Sequence, residues 1–313
     1  MSSRVRVSLA FTFVVVWLLA PLDGAQTVRR PFTGVTTILR TETSPRILRM
    51  HIVQVDLNAP GIHFKLTAPG GNREAIRNTT VEFLTEEHAQ VALNAHFFLP
   101  FPSTSADASL VGLAASNGKV YSAFETPVQS YAIVPDAPAL NIDQLNRVSI
   151  VHRDPAFVDG KHILEPVMLW NVVSGSAQIV TDGVKTIPIY KDDEHLDGIL
   201  IPAAVGYDNS RSWYNILTAR TAIGITRDNR TLVLFTVDRA PGSLGMTVGE
   251  VADMLIRDYS VVNALNLDGG GSTTIALENP STHAGEIFNV PDDTPRGRYV
   301  GSNLAVFANP IQK

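Results

Sequence analysis

Asp268 heads the run Asp268-Gly269-Gly270-Gly271-Ser272, directly after a short apolar stretch, Ala264 to Leu267, that contains Asn266. A carboxylate at the mouth of a strand is well placed to act as a base or nucleophile. The three glycines are free to adopt positive φ, so the turn can aim several backbone N–H groups into one concavity. Ser272, Thr273 and Thr274 add hydroxyl donors. Such a turn either holds an anion or is a tight structural turn, and the residue types leave both open. It is neither a Walker loop, which needs a lysine, nor a dinucleotide fingerprint, whose glycines are spaced differently.

Other residues that could do chemistry are scattered. Asn94 and His96 lie in Asn94-Ala95-His96-Phe97-Phe98, and Ser174-Gly175 follows an apolar pair. Arg220 opens an apolar run, Asp238-Arg239 closes another, and Arg298 stands near the C-terminus. Each has a bland role beside the functional one. Arg220 and Arg239 pair with surface carboxylates, Arg298 is a strand-edge charge, Asp238 caps the end of a hairpin, Ser174 is a turn residue, Asn94 satisfies backbone, and His96 is a packed or surface histidine. Phe97 and Phe98 are core residues or, one of them, a stacking platform for a ligand. No histidine pair has zinc spacing, and Lys191 to His195 reads as a solvated loop.

These groups must be held by strands and a few helices. Ile47 to Leu57 and Ile62 to Leu66 read as a hairpin around Asn58-Ala59-Pro60-Gly61. Thr79 with Glu82, and Thr247 with Glu250, are capping boxes, each opening a helix. Asn117-Gly118 signals a second hairpin, Gln129 to Val134 a further strand, and Thr221 to Asp238 a third hairpin about Arg227 to Arg230. Pro135 to Pro155 has little periodicity and is read as a crossing loop or subdomain seam. Val91-Ala92-Leu93-Asn94 and Asn263-Ala264-Leu265-Asn266 each follow a box-capped helix and end at asparagine. Either the two loops meet at one site or the echo is chance. The pattern predicts an α+β or mixed α/β fold, a mixed β-sheet core with a few flanking helices, in one large domain over residues 30–313.

Composition narrows the setting. Arg4 and Arg6 precede an apolar run from Val7 to Ala20, followed by Pro21 and Gly24, a secretory signal over residues 1–25 with the mature chain starting between Pro21 and Thr27. The run is shorter than the roughly 20 residues a bilayer span needs, so no stable span is expected after its removal. There is no cysteine, which excludes thiol catalysis and cysteine-ligated zinc, and the 45% apolar content suffices for a core. A net charge of −5 without a basic block argues against nucleic acid. Absence of cysteine in an exported chain points to a bacterial protein of the periplasm or extracellular space; the sequons at Asn78 and Asn229 would matter only in a eukaryotic secretory pathway.

The segment Ala264 to Thr274 resembles the signature of the phosphodiester glycosidase family. Val173-Ser174-Gly175, Arg220-Thr221-Ala222-Ile223-Gly224, Gly245-Met246-Thr247, Asn94 to Phe98 and Arg298 to Asn303 are similar to its other motifs, in the same order. The resemblance spans Val91 to Phe307; it departs at Ala95-His96, where the family usually has glycines, and at Asp238-Arg239, where it has Asp-Gly-Arg. It implies a hydrolase cutting the bond between an anomeric carbon and a phosphodiester, on a glycan or sugar-phosphodiester substrate and with no cofactor implied; the metal requirement stays open. In that chemistry the leaving group is already a stabilised anion, so demand shifts from proton donation to anion neutralisation. The resemblance casts Asp268 as base or nucleophile, Asn94 and Asn266 as polar positioners in catalysis, and Arg220 and Arg239 as phosphate clamps, with Arg298 of the closing motif a further substrate or phosphate contact; His96 joins the catalytic candidates by its position beside Asn94. Asp238, Ser174, Gly175, Gly269, Gly270, Gly271 and Ser272 complete the expected binding site. An ordinary glycosidase and a non-catalytic glycan-binding module are the alternatives.

Overall fold

The computed structural model describes residues 24–124, 134–200, 208–292 and 294–311. The signal run and most of the expected strand Gln129 to Val134 lie outside them. The frame is an eight-stranded sheet in the order Gly24–Phe32, Val35–Glu42, Leu48–Asp56, Thr231–Val237, Arg220–Thr226, Val261–Asn266, Ala177–Thr181 and Val184–Lys185. Every neighbouring pair is antiparallel. Both faces of its centre are buried. Along Thr231–Val237, Leu232 and Leu234 enter one core while Val233, Phe235 and Val237 enter another, the period-2 alternation that turns a doubly covered strand into a continuous apolar run.

Helix α2, Val248–Tyr259, covers one face through Val251 and Leu255, and its capping box at Thr247 and Glu250 forms as the spacing predicts. The other face packs on a five-stranded antiparallel sheet ordered Gly285–Ile287, Ile275–Glu278, Val91–Asn94, Asn303–Phe307 and His63–Leu66. Helix α1, Thr80–Glu87, with its box at Thr79 and Glu82, lies over that sheet through Phe83 and Leu84.

A second five-stranded sheet carries the Asn117-Gly118 hairpin, where both residues take positive φ (48° and 80°), the turn that two-residue hairpins favour. Two of its strands, Ala139–Ile142 and Val148–Val151, occupy the aperiodic segment and pair with each other, and the first also pairs with Asn171–Ser174. Leu140, Ile142 and Val173 of this sheet share one core with Val53, Leu234, Leu93 and Leu304 of the other two.

Two expectations change. The fold is mostly β with two α-helices among the described residues, and its paired strands run antiparallel, so the mixed α/β reading gives way to a β-rich α+β one. The turn at Asn58 to Gly61 does not close a hairpin. Leu48–Asp56 pairs with Val35–Glu42 and Thr231–Val237, whereas His63–Leu66 crosses to the other sheet and pairs with Asn303–Phe307. The turn chemistry is the same for a chain that reverses and one that changes sheet, and apolar residues on both sides, Val53 and Val55 against Phe64 and Leu66, are buried in the core between the sheets.

Candidate active site

Val91–Asn94 and Val261–Asn266 lie in different sheets, yet their loops touch. The Asn94 Nδ2 donates to the Asp268 carbonyl at 2.6 Å, and the Asp268 N–H donates to the Ala95 carbonyl at 3.0 Å. Asn94 Oδ1 accepts from Thr221 Oγ1 at 2.9 Å and from the Thr274 N–H at 3.0 Å. One fully buried amide thus grips both ends of the glycine turn and joins it to the strand Arg220–Thr226. A buried polar group with all its partners rigidifies what it holds.

Of the two readings left open for the turn, its geometry favours tight structure over an anion nest. Of its three glycines only Gly270 takes positive φ, at 58°. Three N–H groups are already spent: Gly270 on the Ala219 carbonyl next to the strand Arg220–Thr226, and, within the turn, Ser272 on Gly269 and Thr273 on Gly270. What the glycines provide is closeness, because a Cβ on Gly269 would stand 3.0 Å from the Ala219 carbonyl oxygen and 3.3 Å from the Trp213 ring.

The turn forms one wall of a cleft of about 560 Å³. Phe97, Phe98, Phe101, Trp213 and Ile216 give it apolar and aromatic sides, and Asp268, Asp292, Arg211 and Arg298 give it charge. Desolvation pushes the Asp268 carboxyl up to about 7, against the opposing pull of the Ser272 hydroxyl, the Arg298 charge and the Gly269 N–H. Arg298 donates to Ser272 Oγ at 3.2 Å and lies 4.7 Å over the Phe101 ring. A carboxyl with its pKa near neutral pH in an aromatic cleft, with the Arg298 guanidinium beside it, is fit for proton transfer or nucleophilic attack next to an anion.

Several expected site residues lie elsewhere. Arg220 is fully buried and does not line the cleft. Its Nε donates to Met246 O at 3.0 Å and its Nη2 to Trp213 O and Ile216 O at 2.6 Å each, with the guanidinium 4.7 Å from the Trp213 ring. Burial lowers its pKa to about 9, and it serves to hold the loop that carries Trp213 and Ile216 into the cleft. Arg239 is exposed and donates to Leu217 O. Asp238 is buried beneath the sheet, where it accepts from Asn289 Nδ2 and the Val290 N–H and faces His51 at 3.1 Å. It therefore braces the segment leading to Asp292.

His96 is a core residue as well. Its Nε2 accepts from the Ser174 N–H at 2.9 Å, its Nδ1 faces Ser302 Oγ at 2.8 Å, and burial lowers its pKa to about 4, so the ring is neutral. Ser174 spends its hydroxyl on Leu113 O, and Gly175 is required by close approach, since a Cβ there would meet the Asn266 carbonyl oxygen at 2.0 Å. Asn266 donates to Ser176 Oγ behind the site. Gly269, Gly270, Gly271 and Arg298 line the cleft, and Ser272 backs it through Arg298. Phe101, Arg211, Trp213, Ile216, Thr218 and Asp292 were not anticipated. They sit on segments without periodicity, and only the aromatic residues among them carry a compositional hint. Among the described residues no cluster of three His, Cys, Asp or Glu could hold a metal ion, and no helix is long and apolar enough to cross a membrane.

The catalytic domain of the zebrafish N-acetylglucosamine-1-phosphodiester alpha-N-acetylglucosaminidase, auto-inhibited by its pro-peptide, superposes with a TM-score of 0.56 at 21% identity, over 94% of this chain and 86% of that one. A hypothetical protein from Synechocystis gives 0.53 at 17% identity, over 88% of this chain and 62% of that one. Both likenesses concern the fold. In sequence, the mouse and human enzymes of the same name are 43% and 45% identical over 79 residues, which is 25% of this chain and only 14% of theirs. The family model for phosphodiester glycosidases matches residues 87–307, taking in both asparagine-ended strands, the glycine turn and Arg298, and the chain belongs to the phosphodiester glycosidase family.

Proposed function

We propose that this chain hydrolyses a sugar-1-phosphodiester at the glycosyl carbon. The C1–O bond breaks, water supplies the new hydroxyl on C1, and the phosphate departs as a monoester with its second negative charge or a proton. The observation that carries this reading is the Asp268 carboxyl, held near neutrality within reach of Ser272 and Arg298 in an aromatic cleft. When ionised, Asp268 serves as base or nucleophile toward C1. Arg298, with Arg211 on the same cleft, offsets charge on the departing phosphate, which is what a good anionic leaving group needs in place of a proton donor. The aromatic side chains offer faces for the sugar. The names of the mouse and human relatives make N-acetylglucosamine-1-phosphodiesters the first substrates to try. Export to the periplasm or outside, on the strength of Arg4, Arg6 and the run Val7 to Ala20, would place the enzyme beside envelope or extracellular glycans. N-terminal sequencing of secreted protein checks that part, with a start between Pro21 and Thr27 expected; full-length protein in the cytosol would refute it.

The decisive experiment is hydrolysis in oxygen-labelled water of both anomers of an N-acetylglucosamine-1-phosphodiester, alongside neutral aryl glycosides. Label in the sugar hydroxyl is expected. Label in the phosphate means P–O cleavage and overturns the reading, as does absence of turnover. Faster turnover of the aryl glycosides would favour an ordinary glycosidase, for which Asp292 on the same cleft is the available second carboxylate.

A further inference from the structure

The hairpin that follows the glycine turn brings the chain back beside it. Ile275–Glu278 pairs with Gly285–Ile287, and the register that sets Ala276 opposite Ile287 carries Asn289 level with Thr273 to Ile275. We infer that Asn289 is a positioning residue for Asp268, and that the buried pair Asp238 and His51 holds Asn289 in the orientation that fixes the turn. The inference rests on the hydrolase reading and deepens it with residues that lie behind the site.

Asn289 is 6% exposed. Its Oδ1 accepts from the Ile275 N–H at 2.9 Å, and its Nδ2 donates to the Thr273 carbonyl at 3.0 Å and to Asp238 Oδ1 at 3.3 Å. The residue between, Thr274, gives its N–H to Asn94. Asn94 and Asn289 therefore clamp three consecutive residues at the exit of the turn. A carboxylate can only accept, so Asp238 decides which end of the Asn289 amide faces it, and a reversed amide would set oxygen against oxygen.

Asp238 is placed by strand alternation. On Thr231–Val237 the face that buries Leu232 and Leu234 turns polar at Thr236 and, one residue past the strand, at Asp238; on Leu48–Asp56 the same face runs from Val55 and Val53 to His51. A fully buried carboxylate needs full compensation. Besides Asn289 it accepts from the Val290 N–H at 3.1 Å, and its Oδ2 faces His51 Nε2 at 3.1 Å and Arg49 Nη1 at 3.7 Å. His51 Nδ1 makes no hydrogen bond among the described residues, so the polar contact of the ring is with Asp238. Phe288, the residue before Asn289, packs edge-on against that ring at 4.8 Å.

The effect reaches Asp268 through Ser272. Ser272 precedes Thr273, and its hydroxyl pulls the Asp268 pKa down against desolvation. The other charged groups on the cleft are Arg298, Arg211 and Asp292. A turn released from Asn289 lets the Ser272 hydroxyl drift, so the Asp268 pKa rises and its carboxyl is less well aimed.

The test measures kcat, KM and the pH profile on the methyl ester of N-acetylglucosamine-1-phosphate in Asn289→Leu, His51→Leu and His51→Gln. Leucine removes the polar contacts, whereas glutamine keeps an amide donor for Asp238. In Asn289→Leu, kcat should fall about tenfold to a hundredfold with KM within about twofold of wild type, and the acidic limb of kcat/KM should move up by about half a pH unit or more. His51→Leu should act in the same direction to a smaller extent, and His51→Gln should recover at least about half of the wild-type kcat. A merely structural role lowers the melting temperature and leaves the acidic limb in place. Leucine variants that melt lower yet keep kcat and the limb overturn the proposal, as does a His51→Gln that behaves like His51→Leu. Where a leucine variant does not fold, Asn289→Ser, too short to reach both Thr273 and Asp238, takes its place with the same expectations. If wild type does not cleave the ester, the hydrolase reading fails separately. Carbon NMR of the Asp268 carboxyl then decides: a titration midpoint that rises in Asn289→Leu or Asn289→Ser supports the positioning role, and an unchanged midpoint overturns it.

Discussion

Two parts of this chain start alike and end differently. In each, a threonine and a glutamate box-cap a helix, the helix closes on a left-handed residue (His88 at φ 55°, Ser260 at φ 56°), and the strand that follows ends in a fully buried asparagine. After Asn94 come Ala95, His96, Phe97 and Phe98, all buried. After Asn266 comes a turn stripped of side chains, which leaves Asp268 facing a cleft. On the proposed function, the first unit supplies support and a wall, and the second supplies the reacting group. The difference teaches that the repeated scaffold brings two loops together, while the residues beyond the asparagine decide which loop is chemical. Bulk after Asn94 fills the core; glycine after Asp268 lets Ala219 and Trp213 approach the turn.

The sharpest test removes the chemical half. Asp268→Asn keeps the size and loses the charge, and turnover should fall at least about a hundredfold. Wild-type activity should rise with pH through about 7, because only ionised Asp268 works as base or nucleophile. Stability runs the other way. A carboxyl whose folded pKa lies above its unfolded value contributes stability that is present below about 3.9 and is lost as pH rises through about 7. At pH 8 the variant should therefore melt higher than wild type, by on the order of 1 to 4 kcal/mol, with the difference vanishing near pH 4. A variant that is nearly fully active would place Asp268 among the architecture and erase the contrast between the two loops.

The supporting half is tested at Asn94. Alanine there strands the Thr274 N–H, leaves the Thr221 hydroxyl only its 3.3 Å contact with Thr273 Oγ1 and frees the Asp268 carbonyl. A loss of about 2 to 4 kcal/mol in stability and about tenfold to a hundredfold in kcat should follow, with KM nearly unchanged. A rise in KM alone would mean that Asn94 touches substrate. Arg298 and Arg220 then separate contact from support. Arg298→Ala should cut kcat/KM for phosphodiesters by about tenfold to a hundredfold and spare neutral aryl glycosides. Arg220→Ala should impair both classes alike, since its guanidinium holds the Trp213 loop. A phosphodiester-selective loss in Arg220→Ala would restore it as a phosphate contact.

Much of this arrangement is legible in the chain before folding. The capping boxes, the Asn117-Gly118 and Thr221 to Asp238 hairpins and each of the two asparagine-ended units depend on residues near one another in the chain, and local patterning carries them. The meeting of the two loops was one of two readings of the echo between those units. The cleft's other wall is not legible, because Phe101, Trp213 and Asp292 come from aperiodic segments whose placement depends on distant groups. Arg220 shows why. An arginine before an apolar strand suggests a surface charge or an anion clamp, and nothing local reveals that its partners are the carbonyls of Trp213, Ile216 and Met246. The N-terminal hairpin, Gly24–Phe32 with Val35–Glu42, is similarly faint, since its first strand is mostly exposed and lacks an alternating apolar face.

The smallest effect on activity belongs to His96, and it bears directly on the comparison. His96 stands two residues beyond Asn94 just as Asp268 stands two beyond Asn266, so position alone would make it a catalytic partner. Its environment says otherwise: the ring is fully buried, Nε2 accepts from the Ser174 N–H, and desolvation lowers its pKa to about 4. An imidazole that neither reaches the cleft nor gains a proton above about pH 4 cannot shuttle protons at neutral pH. His96→Gln should accordingly leave kcat at pH 7 within about threefold, while lost packing and imperfect hydrogen bonds cost about 1 to 3 kcal/mol of stability. The pH dependence carries the finer signature. Because the folded pKa lies below the unfolded value of about 6.5, the native state loses stability as pH falls from about 6.5 toward 4, and the glutamine variant should lose part of that slope. Melting curves of both proteins between those pH values measure it. A collapse of kcat at pH 7 in a variant that still melts cooperatively would show that the two loops share the chemistry after all.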